Sequence, residues 1–283
     1  MNLSKSKKGS IYAALSGLLY GLVGYFGISI IQADFSISNM LFWRFTFASI
    51  IVAGFLFFQG KKIQFSLQLM VASIFYACGS GIYFIASKYI GSGLAMVIFF
   101  VYPIIIILFN CLFYRHKIER IYYISVFLLL LGLGCLIRKD EVSFDLYGIS
   151  FALLSALFYG VYIIYSQKKI SLPPLESTFA ISMGSSILCF IIALCEGSLI
   201  IPASTTLWFN IIGMALICTV IPILFLLEGL KLISAEKAAL LSVLEPVFVL
   251  IIGAWLLNEQ VSMIQYFGVL AILSSAIIAT KSN

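Results

Sequence analysis

Charge is scarce in this 283-residue chain. Lys, Arg, Asp and Glu make up 10 % of it, against roughly 25 % in a soluble globular protein. Hydrophobic residues reach 63 % and the mean hydropathy is +1.15. So few charges cannot cover so much apolar surface in water, so the chain is expected to lie in a lipid bilayer. That excludes a secreted disulfide scaffold, a disordered chain and a nucleic-acid binder, even at a net charge of +6. Histidine is nearly absent: His116 stands alone between Arg115 and Lys117, so an HExxH metalloprotease or a His-dependent hydrolase has no material. No GxxxxGK[ST] loop occurs, which argues against ATP-driven transport by this chain alone. The six cysteines, at 78, 111, 135, 189, 195 and 218, all sit in apolar stretches without a CxxC pair. They read as small buried hydrophobes. No metal or cofactor is expected.

What is present is a succession of long apolar runs. A bilayer core about 30 Å thick needs about 20 apolar residues per helix. Ten such runs are predicted, at 10–31, 37–58, 66–88, 91–114, 119–137, 146–167, 174–195, 206–230, 235–257 and 261–280. The third and fourth are divided only by Lys88-Tyr89-Ile90-Gly91, and the eighth and ninth by a similarly short stretch. Positive charge sets the orientation. With a cytoplasmic N-terminus, the inner segments hold Lys5, Lys7, Lys8, Lys61, Lys62, Arg115, Lys117, Arg120, Lys168, Lys169, Lys231, Lys237 and Lys281. The outer ones hold only Lys88, Arg138 and Lys139. Both termini are therefore expected in the cytoplasm. The first run follows a basic stretch, but at about 22 residues it is too long for a signal-peptide core.

The chain also repeats itself. GSIYAALSGLLYG (9–21) lies over GISFALLSALFYG (148–160) at an offset of 139, with seven of thirteen positions identical. The match keeps a stripe of small residues (Ala13, Gly17 and Gly21 against Ala152, Ala156 and Gly160) that lets helices approach closely in lipid. Tyr102-Pro103 falls over Glu245-Pro246 at an offset of 143. Two halves are expected, 1–140 and 141–283, with five spans each. Because five is odd, the second half enters the membrane from the opposite side, giving inverted repeats as in many secondary transporters.

The stretch ISAEKAALLSVLEP (233–246), followed by GAWLLNE (253–259) and QYFG (265–268), resembles the C-terminal signature of the EamA-type drug/metabolite transporters. Trp43-Arg44-Phe45 is similar to that family's Arg-Phe pattern. The resemblance covers essentially the whole chain. It implies small-molecule transport across the plasma or inner membrane, often export. His116 departs from the pattern, standing where the repeat would place the counterpart of Glu259, and so does Glu228.

Several residues invite a role. Glu245 lies about eleven residues from either end of its span, near the bilayer centre at 1.5 Å per residue. An ionised carboxylate there is costly, so it is expected to face the bundle interior, protonated or paired. It either binds substrate or couples protons, or it holds the helix break. Pro103, Pro246 and Pro222 each lack a backbone donor and free the carbonyl four residues earlier. Helices broken at the midplane point to a cavity, although a packing kink would look the same. Arg44 either snorkels outward or pairs with an anion. Glu228 is expected to pair with Lys231. Among the in-span tyrosines Tyr20, Tyr76, Tyr83, Tyr102, Tyr159 and Tyr162, the strongest binding candidates are Tyr83 and Tyr102. A tyrosine ring stacks on a solute and its hydroxyl hydrogen-bonds one.

The sequence thus predicts an all-α polytopic membrane protein with a cavity lined mainly by spans 1, 3, 4, 6, 8 and 9. By this reading it is not an enzyme. It would carry a small amphipathic metabolite, an amino acid or a derivative, by alternating access, with proton coupling open. A strongly anionic solute such as a nucleoside polyphosphate would find too little positive charge. The competing reading is a non-transporting scaffold or accessory subunit.

Overall fold

Apolar runs of 20 residues in a chain with almost no strand-forming alternation should give helices, and they do. The structure, a computed structural model, describes residues 4–31, 35–61, 67–115, 119–137, 145–169, 172–256 and 261–281. His116, Arg138, Lys139 and Glu259 lie outside these. The helices are α1 (Lys5–Tyr20), α2 (Val23–Ile31), α3 (Ile37–Phe58), α4 (Leu67–Phe99), α5 (Tyr102–Tyr114), α6 (Arg120–Leu136), α7 (Leu146–Lys169), α8 (Pro174–Cys195), α9 (Thr205–Ala215), α10 (Ile221–Leu230), α11 (Ala235–Ser242), α12 (Leu244–Leu256) and α13 (Met263–Thr280). A π-helical turn, Leu216–Val220, joins α9 to α10.

Seven helical stretches are long and apolar enough to cross a membrane, and Tyr102–Tyr114 and Arg120–Leu136 are shorter apolar helices. Large apolar side chains point away from the protein, among them Phe57, Phe58, Leu112 and Trp255. Such a surface is stable in lipid and would be a liability in water.

The third and fourth expected spans part where the sequence places their boundary. The stretch Leu67–Phe99 consists of two helical pieces that meet at a kink at Gly91, whose φ of 77° and ψ of 155° are non-helical. A side chain with a Cβ rarely adopts that positive φ, and glycine does so freely. The fourth span is itself interrupted at Phe100–Val101, just before Pro103. The ninth breaks at Val243, before Pro246, and the eighth at the π turn, before Pro222. Each proline sits in the first turn of a new helical segment, where its missing N–H costs nothing. The first span also breaks, between α1 and α2, without a proline.

Packing repeats itself with the two halves exchanged. Helix α1 packs on α10 and α4 on α7, while α3 packs on α8, α6 on α13 and α5 on α11. Ser16 Oγ donates to the Pro222 carbonyl at 2.8 Å, and its counterpart Ser155 donates to the Gly79 carbonyl at 2.7 Å. Gly21 abuts the Glu245 carbonyl as Gly160 abuts that of Tyr102. These are the reciprocal contacts of a two-fold axis. Partner helices run antiparallel. In the α6–α13 pair, Gly132 meets Gly268 while Ser275 Oγ donates to the Ser125 carbonyl at 2.7 Å.

Side chains at the two ends of the bundle fix which segments share an end. Lys237 Nζ donates to Ser6 Oγ and to the Thr280 carbonyl, at 3.2 and 3.0 Å, so the first and last helices end together beside the start of α11. Lys61 pairs with Glu176 at 3.7 Å. At the far end Ser38 Oγ donates to Glu196 Oε2 at 2.5 Å and Ser36 Oγ to Ser198 Oγ at 2.9 Å. Glu228 and Lys231 meet at 3.8 Å, both widely exposed, so their pairing contributes little.

Candidate binding cavity

Where the broken spans of the two halves meet, the bundle does not close. A partly open cavity of about 60 Å³ is lined by Tyr20 and Val23 of the first span and Arg44 of α3. Tyr76, Gly79, Ser80, Tyr83, Phe84, Met96 and Phe99 line it from α4, Tyr159 from α7 and Glu245 from α12. A buried water needs at least about 10–15 Å³ on this scale, so the space holds a few waters and must widen for a larger solute. It lies in the half of the bundle remote from the termini. Toward the termini the core is filled: Tyr102, Ile106, Tyr162, Leu240 and Leu241 are buried.

The wall is aromatic, with one acidic and one basic side chain, Glu245 and Arg44. Tyr20 and Tyr76 share a hydrogen bond between their hydroxyls at 3.2 Å. The Tyr83 ring lies 5.5 Å from Phe99, which in turn lies 5.2 Å from Tyr159. Glu245 is half-buried, and among the described residues its carboxylate has neither a hydrogen bond nor an ion pair. Among the described residues nothing occupies its acceptor sites, so they are open to whatever enters the cavity.

Arg44 does not snorkel. It is 2 % exposed, with Nε donating to Thr219 Oγ1 at 2.7 Å and an Nη to the Cys218 carbonyl at 2.8 Å. Cys218 is four residues before Pro222, so the carbonyl that the proline leaves without a helical donor is the one Arg44 takes up. Arg44 also lines the cavity. The carbonyl freed by Pro246, at Ser242, is likewise met by protein, since it packs directly against Gly17.

Five of the expected binding residues therefore share one wall: Tyr20, Arg44, Tyr83, Tyr159 and Glu245. Tyr102 and Tyr162 do not reach it. Tyr102 lies behind Tyr159, 5.0 Å ring to ring, with its hydroxyl 3.4 Å from the Ala239 carbonyl. Tyr162 packs 5.0 Å from Tyr76 on the side away from the space. The prolines shape the helix ends and do not line the cavity. The eighth span contributes no lining residue, while α3, left out of the expected wall, supplies Arg44.

Two consecutive stretches, residues 7–138 and 146–281, each match the EamA-like transporter family. The chain belongs to that family. An uncharacterized transporter of Bacillus subtilis (strain 168), YojE, is 25 % identical over the whole chain and 97 % of its own length. One from Synechocystis is 27 % identical over 66 % of this chain and 58 % of its own. A solved crystal structure superposes with a TM-score of 0.85 over 96 % of both chains at 15 % identity, a likeness of fold. This EamA protein is thus a multi-pass membrane transporter built of two repeats. Ser80, Met96 and Phe99 are wall residues that the sequence did not mark, and Tyr76, one of the in-span tyrosines, stands on the wall with them. Tyr76 and Ser80 lie one turn apart on α4, and only the packing of α4 against α7 shows which face of α4 is open.

Proposed function

We propose that the protein is a secondary carrier that exports a small amphipathic metabolite, an amino acid or a derivative, by alternating access. It would lie in the plasma membrane with ten crossings, both termini cytoplasmic and the halves 1–140 and 141–283 inverted. The observation that carries this reading is the cavity between the repeats, lined both by the Glu245 carboxyl, which has no protein partner among the described residues, and by the Arg44 guanidinium. A solute with both an ammonium and a carboxylate group complements that pair, and the tyrosine and phenylalanine rings suit its apolar part. The antiparallel pairing of counterpart helices supports the inversion, and the cavity at the junction of the repeats supports alternating access.

Counterflow in proteoliposomes tests it. Vesicles preloaded with an unlabelled amino acid, polyamine or nucleoside-like metabolite should accumulate only the labelled amino-acid class. Uptake of a polyphosphate in preference to every amino acid would refute the substrate class. If export is proton-coupled, Glu245→Gln abolishes pH-gradient-driven uptake and leaves exchange intact. Loss of folded protein in that variant would instead assign Glu245 to the helix break.

A further inference from the structure

The two-fold exchange gives each cavity residue a counterpart, and the counterparts are not chemically alike. At the offset of 139, Tyr20, Val23 and Gly27 on the first span correspond to Tyr159, Tyr162 and Ser166 on α7. Tyr20, Val23 and Tyr159 line the cavity. Tyr162 is fully buried, Ser166 is 4 % exposed, and among the described residues neither hydroxyl has a partner within ordinary hydrogen-bond distance, although the two interact with each other one turn apart on α7. Buried hydroxyls are almost always satisfied, and two that lack such a partner call for a ligand in another state. They adjoin the site directly, since the Tyr162 ring is 5.0 Å from Tyr76 and 5.7 Å from Tyr159, both on the cavity wall. Ser166 also lies toward the end that bears the termini. The next residue, Gln167, donates to the Ile233 carbonyl and accepts from the Ala235 N–H, beside the Lys237 that holds Ser6 and Thr280.

We propose that Tyr162 and Ser166 form a second binding subsite, which joins the cavity when the carrier opens at the terminus-bearing end. The subsite takes a hydrogen-bond-accepting group of the solute, a carboxylate or carbonyl, because a phenol O–H is a better donor than acceptor. This rests on the alternating-access reading above. Exchanging the conformations of the two repeats buries Val23, which lines the cavity, and opens the Tyr162 and Ser166 face. The two openings are then unequal: one presents an apolar wall at these positions, the other two hydroxyls.

The test uses the full chain in proteoliposomes of known orientation. Tyr162→Phe should raise KM about fivefold to tenfold from the terminus-bearing face, the loss of one hydrogen bond, and leave KM from the other face unchanged. In a version with its six cysteines replaced that still shows counterflow, Ser166→Cys should react with a charged, membrane-impermeant thiol reagent from the terminus-bearing face alone. Val23→Cys should react from the opposite face alone. Equal KM changes on both faces, or a Ser166→Cys variant that performs counterflow yet stays unreactive from both, overturns the proposal and leaves the carrier standing. Absence of counterflow in the wild-type protein overturns the carrier reading itself, and the subsite with it.

Discussion

Arg44 holds the π turn with two of its five donors, and the partners it holds are 174 and 175 residues away in the chain. Hydropathy flags a cation inside an apolar run but has no way to say what it binds. Removing the side chain leaves the Cys218 carbonyl, already without a helical donor because of Pro222, buried and unpaired. Arg44→Ala should therefore destabilise the protein by about 1–3 kcal/mol, read as a lowered melting temperature in detergent. Arg44→Lys should recover only part of it, since an ammonium on a flexible stem cannot reproduce a planar two-donor fork. An unchanged melting temperature in Arg44→Ala would mean that the guanidinium serves the cavity alone. Glu245 was legible as a membrane-depth carboxylate facing inward. That no donor among the described residues reaches it was not, because that depends on the surroundings from five other helices.

At the scale of the helices, the prolines predicted the breaks in the fourth, eighth and ninth spans, because a missing N–H is a property of the residue itself. The break between α1 and α2 carries no such mark. Glycine spacing was informative only in part. In α6, Gly132 and Gly134 are two residues apart and look equivalent in sequence. A Cβ on Gly132 would come within 2.7 Å of the Gly268 carbonyl, whereas one on Gly134 meets nothing within 4 Å. Gly132→Leu should cost about 1–3 kcal/mol by overpacking the α6–α13 seam. Gly134→Leu should leave the melting temperature unchanged or raised. Equal losses in the two variants would show that the seam is not tightly held.

Over the whole molecule, the strongest helix contacts run between the halves and hardly at all within them. Helices α1, α3, α4 and α6 each pack chiefly on a helix of the second repeat. A lone half would expose to lipid the buried serines and carbonyls that its partner satisfies, Ser16, Ser155 and Pro222 among them, and unsatisfied polar groups there are expensive. Segments 1–140 and 141–283, expressed separately, should each be degraded or aggregate. Expressed together, they should co-purify and restore counterflow. A first half that is stable and monodisperse alone would contradict this account.

The sequence by itself determined that the chain lies in a membrane, is helical and is duplicated, because hydropathy, charge placement and self-similarity are sums over residues and need no partner. It also marked Tyr20, Arg44, Tyr83, Tyr159 and Glu245 as candidates. Only the tertiary structure decided which of them share a wall, that Tyr102 and Tyr162 stand behind it, and that Arg44 is tied to a proline-freed carbonyl. Those outcomes depend on which face of each helix meets its counterpart. In lipid every helix is apolar all round, so no hydrophobic stripe announces that face, and it is set by small residues and hydrogen bonds that act between distant parts of the chain.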